Sequence, residues 1–258
     1  MSRPLASLAP ADLRALAAAL RQKRLRPPYT AAGDVVHASL APDVARELAR
    51  LGEAGCSPDG LAAVCESFLA AQAHADPMVE LVATAPDGTA PTRDTAVVLR
   101  GLFQQATRSV LVAGFAVYQG QEVFATLAAQ MRELPGLEVR MFLEIARVPG
   151  DTSLDTEIVK RFLHRFKTEQ WPPGAPEPKI FYDPRALSPD RAHRSALHAK
   201  CVVVDGAQSL VTSANFTQAA QQRNLELGLL VASPALAEQI TSFFDSLTAA
   251  GHLLPAGF

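Results

Sequence analysis

The chain has 258 residues, 48% of them hydrophobic, which is enough to bury one or two cores of ordinary size. The 24 Lys and Arg residues nearly balance the 26 Asp and Glu residues, which excludes a protein that binds nucleic acid through a strong overall positive charge. Any polyanion would have to be held by a local group of cations and hydrogen-bond donors.

The cysteines and the N-terminus indicate a soluble, cytoplasmic protein. Cys56, Cys65 and Cys201 have neither CxxC nor Cys/His metal spacing, so we interpret them as free thiols in a reducing compartment. The apolar run Ala15–Leu20 is too short for a signal peptide or a membrane span, and we expect no association with membranes.

Residues 1–76 have the pattern of a small helical N-terminal region. Proline near each start and proline or glycine near each end predict helices from Pro10 to before Pro27, from about Pro42 to Gly52 or Gly55, and from Pro58 to about His74. The composition changes near residue 76, where we place the boundary to a second domain, residues 77–258.

Strand and helix patterns alternate through residues 77–258. Strands are predicted over Met78–Thr84, Ser109–Phe115, Leu137–Ile145 and Lys179–Tyr182, and helices over Thr92–Ala106, Gln121–Leu134, Ser153–Lys167 and from Ser233 to about Ala249. The continuous apolar run Ser109–Phe115 is typical of a strand that is covered on both faces. The alternation predicts an α/β fold with a largely parallel or mixed sheet flanked by helices.

A predicted hairpin within this domain begins with two polar residues. His198 and Lys200 precede the apolar run Cys201–Val204, which Asp205-Gly206 closes, and this pattern is typical of a strand that leads into a tight turn. Residues two apart in a strand point to the same face. We therefore expect the imidazole of His198 and the ammonium of Lys200 to project together.

Two further strands place polar residues near this pair. The return strand Ser209–Thr212 is followed by Ser213 and Asn215, which are again two apart, and the apolar strand Leu225–Val231 carries Glu226 at its start. The strand ends thus bring together His, Lys, Ser, Asn and Glu, a set that suits an anionic substrate attacked by a nucleophile.

The spacing of these residues resembles the HKD motif of the phospholipase D superfamily. The pattern reads His198-x-Lys200-x4-Asp205-x6-Thr212-Ser213-x-Asn215, with Glu226 eleven residues further on and Thr212 where the family usually has Gly. The resemblance covers about residues 78–258 and implies a phospholipase D-like mixed β-sheet flanked by helices. It also implies a metal-independent phosphodiesterase.

The residue types fit that chemistry, because the anionic oxygens of a phosphodiester must be neutralised before a nucleophile can approach. Lys200 supplies positive charge, Asn215 an amide donor and Ser213 a hydroxyl for binding the phosphate. A neutral imidazole at His198 can attack phosphorus and form a phosphohistidine that water later hydrolyses. This route requires neither a metal nor a cofactor, and the sequence contains no convincing metal cluster.

Three other residues have more specific expected roles. Glu226 can accept the imidazole N–H of His198 and so fix the tautomer that attacks. Asp205, at the turn, is expected to be structural. His193 lies near several arginines and is a candidate for holding substrate phosphates, although a solvated loop before the strand accounts for it equally well.

The chain contains a single His-x-Lys, whereas in-line displacement needs a nucleophile on one side of phosphorus and a proton donor on the other. The resemblance implies that members with one motif build the site across a two-fold axis. We therefore predict a homodimer in which each copy contributes His198, Lys200, Asn215 and Glu226 to one composite site.

A narrower resemblance concerns the biological setting. The chain length, the helical N-terminal region and the segment 80–86 (ELVATAP) are similar to the DrmC family, the phospholipase D-like component of the bacterial DISARM anti-phage system. This resemblance implies a role in phage defence, with other defence proteins as partners. Our leading hypothesis is a nuclease that cleaves DNA. A phospholipid hydrolase and a catalytically idle binding component of a defence complex remain the alternatives.

Overall fold

The computed structural model describes residues 4–29, 42–74, 78–85, 92–190 and 192–257. The chain divides into two compact units, Met1–Asp76 with Ser233–Ala235, and Pro77–Ala232 with Leu236–Phe258. The boundary expected near residue 76 lies outside the described residues. Within the described ranges, no helix is both long enough and apolar enough to cross a membrane.

The first unit contains the three predicted helices, α1 (Pro10–Arg21), α2 (Pro42–Glu53) and α3 (Pro58–His74), after a 3₁₀ turn at Pro4–Ser7. Leu13, Leu16 and Leu20 lie at helical spacing on α1 and are buried together with Leu48 of α2 and Leu61 of α3. The helical prediction for this region is therefore confirmed in the described residues.

The described residues of the second unit are built on a nine-stranded mixed sheet. Its strands, with two short strands that form a separate pair (β4 and β9), are β1 (Met78–Thr84), β2 (Arg93–Asp94), β3 (Ser109–Gly114), β4 (Val117–Tyr118), β5 (Glu138–Leu143), β6 (Lys179–Tyr182), β7 (Cys201–Val204), β8 (Gln208–Thr212), β9 (Phe216–Thr217), β10 (Glu226–Ala232) and β11 (Leu254–Pro255). The order across the sheet is β11-β6-β5-β3-β7-β8-β10-β1-β2. The expected α/β fold with a mixed sheet is confirmed.

Helices flank this sheet: α4 (Thr95–Gln105), α5 (Gly120–Val123), α6 (Ala125–Glu133), α7 (Asp155–Arg165), α8 (Gln218–Gln222) and α9 (Pro234–Ala249). The helix predicted over Thr92–Ala106 begins only at Thr95, because Arg93–Asp94 pairs with β1 and the Asp94 side chain caps the helix. The helix predicted over Gln121–Leu134 is interrupted at Phe124. The one predicted over Ser153–Lys167 is α-helical to Arg165 and then continues as a π-helix, Phe166–Gln170.

The position of β3 between two cores explains why its sequence is apolar without interruption. Val110 and Val112 point into one core, beneath helices such as α4 and α6, whereas Leu111 and Ala113 point into a second core covered by α9. Every residue of β3 except Ser109 is buried, so the prediction of a strand covered on both faces is confirmed. The strand ends one residue earlier than expected, and Phe115 is therefore free to leave the sheet.

The β7–β8 hairpin has the predicted tight turn. Asp205 and Gly206 both have positive φ, 53° and 64°, and the Ala207 amide donates to the Val204 carbonyl, as in a type I′ turn. The Asp205 carboxylate accepts hydrogen bonds from the backbone amides of Thr107, Arg108 and Ser109 and from the Thr107 hydroxyl. It thereby ties the hairpin to the chain that leads into β3.

Candidate active site

The predicted site residues lie along one edge of the sheet. Strand β7 is antiparallel to β3, with Cys201 opposite Ala113, so the residues before β7 lie beside the residues after β3. Strands β8 and β1 also end at this edge, and β10 begins there. The edge therefore collects the carboxyl ends of several strands and the starts of two others.

His198 and Lys200 are in contact. The Lys200 Nζ lies 3.3 Å from Nδ1 and 3.4 Å from Nε2 of the imidazole, and it donates to the His198 carbonyl at 3.0 Å. The Phe115 ring packs beside both side chains, with its centroid 4.7 Å from that of the imidazole and 5.4 Å from Nζ. Lys200 is buried whereas His198 is exposed, so the imidazole is accessible while the cation beneath it is held in place.

Two features of its surroundings shift the pKa of Lys200 in opposite directions. Burial lowers the pKa of the ammonium from its usual value, because the charged form loses solvation, and the nearby carboxylate of Glu226 partly opposes this effect. A partly desolvated cation interacts more strongly with an anion than a solvated one does. Lys200 is thus suited to hold a phosphate oxygen next to the imidazole.

Ser213, Asn224 and Glu226 form a second group. The Ser213 hydroxyl donates to Oε2 of Glu226 at 2.5 Å, and Nδ2 of Asn224 donates to Oε1 at 3.0 Å. The Leu227 amide donates to the Ser213 hydroxyl, which fixes that side chain from both sides. Both oxygens of the carboxylate therefore have partners, one just after β8 and one just before β10.

The expected bond from His198 to Glu226 is not among the hydrogen bonds of the described residues. Glu226 begins β10, which is separated from β7 by β8. The two oxygens of the Glu226 carboxylate are instead engaged by Ser213 and Asn224. Within one chain, Glu226 organises Ser213 and acts on Lys200 through its charge.

Thr212 is the last residue of β8, and Asn215 lies in the turn that follows it. Asn215 is half-buried, and its Oδ1 is buried without a hydrogen-bond partner in the described part of the chain. The Thr212 amide donates to the Lys200 carbonyl, and its hydroxyl accepts from the Ala214 amide. Thr212, where the motif usually has Gly, therefore supports the turn that presents Asn215.

Two predicted residues lie apart from this group. His193 is 80% exposed at its side chain, and its Nδ1 pairs with Asp190 at 2.7 Å in the loop before β7. Asp205 is at the opposite end of the β7 strand. Among the described residues, neither side chain is hydrogen-bonded to His198 or Lys200.

Sequence reasoning missed two residues at this edge, Phe115 and Glu144. The Glu144 carboxylate accepts a hydrogen bond of 2.7 Å from the Leu197 amide, one residue before His198. Burial raises the pKa of Glu144; the Leu197 amide opposes that shift, and the charge of Asp183 adds to it. A charged residue directly after the apolar strand β5 was the signal available in the sequence.

The site combines a nucleophile, a cation and hydrogen-bond donors. Within the described ranges, no group of three or more His, Cys, Asp and Glu side chains is arranged to hold a metal ion. The exposed imidazole and the ammonium in contact with it can together contact a tetrahedral anion. This arrangement is suited to nucleophilic attack on a phosphoester.

Several solved structures are similar to this chain. Nuc from Salmonella typhimurium, a phospholipase D family member, is 17% identical, with 70% of this chain and 98% of that chain covered and a TM-score of 0.45. NucT from Helicobacter pylori is 13% identical, with 71% and 100% covered and a TM-score of 0.48. Phosphatidylserine synthase from Haemophilus influenzae is 12% identical, with 77% and 47% covered and a TM-score of 0.45.

No curated protein matches the chain significantly. The family model described as "Cardiolipin synthase, PLD-like domain" matches residues 99–248, which is more than half of the chain. The matched residues include β3, the β7–β8 hairpin and the polar residues at the edge of the sheet. The chain therefore belongs to this phospholipase D-like family.

Proposed function

We propose that the protein is a metal-independent phosphodiesterase that cleaves DNA through a phosphohistidine. The observation that carries this proposal is the contact between the exposed imidazole of His198 and the buried ammonium of Lys200. Attack on an anionic phosphodiester requires a nucleophile and a cation in contact, and the imidazole of this pair is exposed to the substrate. Asn215 adds an amide donor for another phosphate oxygen, and Ser213 adds a hydroxyl donor once a phosphate oxygen replaces Glu226 as its acceptor.

The proposed reaction has two steps. In the first, an imidazole nitrogen of His198 forms an N–P bond, the P–O bond to the leaving group breaks, and a second imidazole gives its proton to the leaving oxygen. In the second, that imidazole takes a proton from water, the water oxygen attacks phosphorus, and the N–P bond breaks. Lys200 stabilises the charge on the phosphate oxygens throughout.

The second imidazole must come from another copy, because the chain has one His-x-Lys. We propose an isologous homodimer whose two copies of His198 meet at one phosphate. Glu226 of each copy then accepts the imidazole N–H of the other copy's His198, a bond that is absent within one chain among the described residues.

An exposed sheet face supports this assembly. Val79 and Leu81 of β1, Leu227 and Leu229 of β10 and Val211 of β8 form what we call the exposed β1–β10–β8 face. Leu81, Leu229 and Val211 lie in one row across the three strands. Leu227 reaches the site, because its carbonyl accepts from the Ser213 amide. None of these residues is charged, so a two-fold axis through this face would not oppose like charges.

The area of this face is too small to form a stable dimer interface by itself. Three strands about 4.8 Å apart and about five residues long give an area of roughly 250 Å², against about 800 Å² per partner in a stable interface. The face would therefore form the apolar centre of the dimer, and surrounding residues would supply the rest of the buried area.

Cleavage assays test the chemistry. Wild-type protein is incubated in EDTA with labelled single- and double-stranded DNA, RNA and phosphatidylcholine vesicles, beside His198→Ala. We expect DNA cleavage by the wild type and a loss of about a thousandfold or more in the variant, because the variant lacks the nucleophile. Cleavage that survives in the variant, or that needs an added metal, contradicts the mechanism.

Subunit mixing tests the shared site. Wild type and His198→Ala are co-expressed with different tags at a range of ratios. If one phosphate needs both imidazoles, the activity falls with the square of the wild-type fraction; if each chain acts alone, it falls linearly.

Leu229→Glu should give a monomer by light scattering, whereas Val97→Glu, at a similarly exposed apolar position on α4, should leave the dimer intact.

The same exposed face favours one alternative, a phospholipid hydrolase. Leu227 and Leu225 are 58% and 79% exposed close to the site, where a lipid surface could contact them. In that case phosphatidylcholine in vesicles would be cleaved faster than DNA, and Leu229→Glu would reduce activity on vesicles more than activity on a water-soluble phosphodiester.

The biological setting is also a proposal. We place the protein in the cytoplasm as a component of a DISARM-like anti-phage system, on the basis of the DrmC-like features of its sequence. The helical unit would then bind other defence proteins. A well-folded dimer that cleaves none of the substrates above would favour the idle binding component. Loss of phage resistance in cells carrying His198→Ala would instead favour the nuclease.

A further inference from the structure

The segment that carries His198 has little regular structure on its N-terminal side. Strand β6 is followed by a short 3₁₀ turn, Pro184–Leu187, and the described residues from there to β7 form neither a strand nor a longer helix. Such a segment holds a side chain in one place only where specific contacts fix its backbone, because ordering each residue costs about 1–2 kcal/mol of conformational entropy.

Two hydrogen bonds fix the backbone on either side of His198. On its C-terminal side, the Lys200 carbonyl accepts from the Thr212 amide at 3.1 Å, which attaches the chain to the end of β8. On its N-terminal side, the Leu197 amide donates to Oε2 of Glu144 at 2.7 Å. The backbone around His198 is thus fixed at points only three residues apart.

Glu144 is itself held rigidly. It directly follows β5, and its amide donates to the carbonyl of Gly114 at the end of β3. The next residue after Gly114 is Phe115, whose ring packs against the imidazole. The side chain of Leu197 is buried in the core beneath α9, so its amide cannot follow a displaced acceptor freely.

We propose that Glu144 is a positioning residue for His198: its carboxylate holds the Leu197 amide and thereby sets the direction from which the imidazole meets phosphorus. The inference rests on the proposed function, because it assumes that His198 is the nucleophile. Glu144 does not contact the substrate in this role. Its removal displaces the imidazole while Lys200, Ser213 and Asn215 continue to bind the phosphate.

Three variants test the role. Glu144→Gln keeps an oxygen acceptor at the same distance, Glu144→Asp keeps the charge but withdraws the oxygen by one methylene, and Glu144→Leu removes the acceptor. Glu133→Leu, at an exposed glutamate on α6, is the matched control for the loss of a carboxylate. Each is assayed in EDTA with bis(4-nitrophenyl) phosphate for kcat and KM, and for its melting temperature.

The proposal expects a particular pattern in these rates. A displacement of about 1 Å can cost on the order of a hundredfold in rate, so kcat should fall about 10- to 100-fold in Glu144→Asp and Glu144→Leu, with KM changed less than about threefold. Glu144→Gln should keep kcat within about threefold of the wild type, because a neutral amide oxygen still accepts the bond. Should Glu144→Leu not fold, Glu144→Asp carries the test.

Three results overturn the inference. One is a kcat in Glu144→Asp and Glu144→Leu within twofold of the wild type. Another is a kcat in Glu144→Gln that falls as far as in Glu144→Leu, since an oxygen acceptor at that position would then be insufficient. The third is a rise in KM that accounts for the whole loss. By contrast, an inactive wild type, or an active His198→Ala, refutes the proposed function and is seen before any Glu144 variant is measured.

Discussion

Replacing Asp205 with alanine should destabilise the sheet strongly without altering the site. The carboxylate accepts from three backbone amides and one hydroxyl at 2.8–2.9 Å. These groups are exposed, so water replaces part of what is lost, and we assign about 0.7 kcal/mol to each bond. Alanine at a φ of 53° adds about 1 kcal/mol, because a Cβ without a polar side chain is disfavoured there. The total is about 4 kcal/mol.

Thermal unfolding followed by circular dichroism measures this loss. For a unit of this size, about 4 kcal/mol corresponds to a fall in melting temperature of roughly 8–16 °C. Asp205→Asn tolerates the positive φ and keeps one acceptor, so its loss should be about half as large. Thr107→Val removes a single bond and should cost about 1 kcal/mol.

Activity provides the second measurement for Asp205→Ala. Strand β7 separates Asp205 from Lys200 by about 15 Å, so at 20 °C the folded variant should cleave substrate within about twofold of the wild-type rate. A melting temperature within 2 °C of the wild type would refute the assigned bond energies. A large loss of activity in a fully folded variant would refute the structural role.

Further predictions concern the pH dependence and the packing of the sheet. Burial lowers the pKa of Lys200 from its usual value of 10.5, so the ammonium loses its proton at a lower pH than a solvated lysine does. Activity in a pH–rate profile should therefore fall at alkaline pH. Lys200→Arg should move this fall out of the measured range. Gly114→Ala should lower the melting temperature, because the added Cβ would lie 2.5 Å from the Phe216 ring. Gly228→Ala should do the same, because the Cβ would lie 2.8 Å from the Val211 carbonyl oxygen; denaturation curves unchanged from the wild type would contradict both.

The elements that the sequence predicted well are those with local signals. Pro58–His74, Met78–Thr84 and Lys179–Tyr182 have the predicted bounds because proline, glycine or a change of periodicity marks each end. The turn at Asp205-Gly206 was equally predictable, since few dipeptides adopt positive φ at both positions. The contact between His198 and Lys200 followed from the two-residue period of an extended chain.

The features that the sequence could not predict depend on which strands are neighbours. Among the described residues the partners of Glu226 are Ser213 and Asn224, because the pairing of β8 with β10 brings Ser213 to the start of β10. Glu144 reaches Leu197, 53 residues later, only because β5 and β3 are parallel while β7 runs against them. Periodicity carries no information about such pairings.

The reversed direction of β7 determines where the amino-acid sequence can vary among relatives. Because the histidine stands just upstream of a strand and its supports stand just downstream of others, the loop between β6 and β7 leads directly into the reaction centre before the chain rejoins the sheet. Residues can be exchanged in that segment without altering any strand pairing, provided that its anchoring points are kept. Substrate preference could thus diverge among relatives while the framework stays the same.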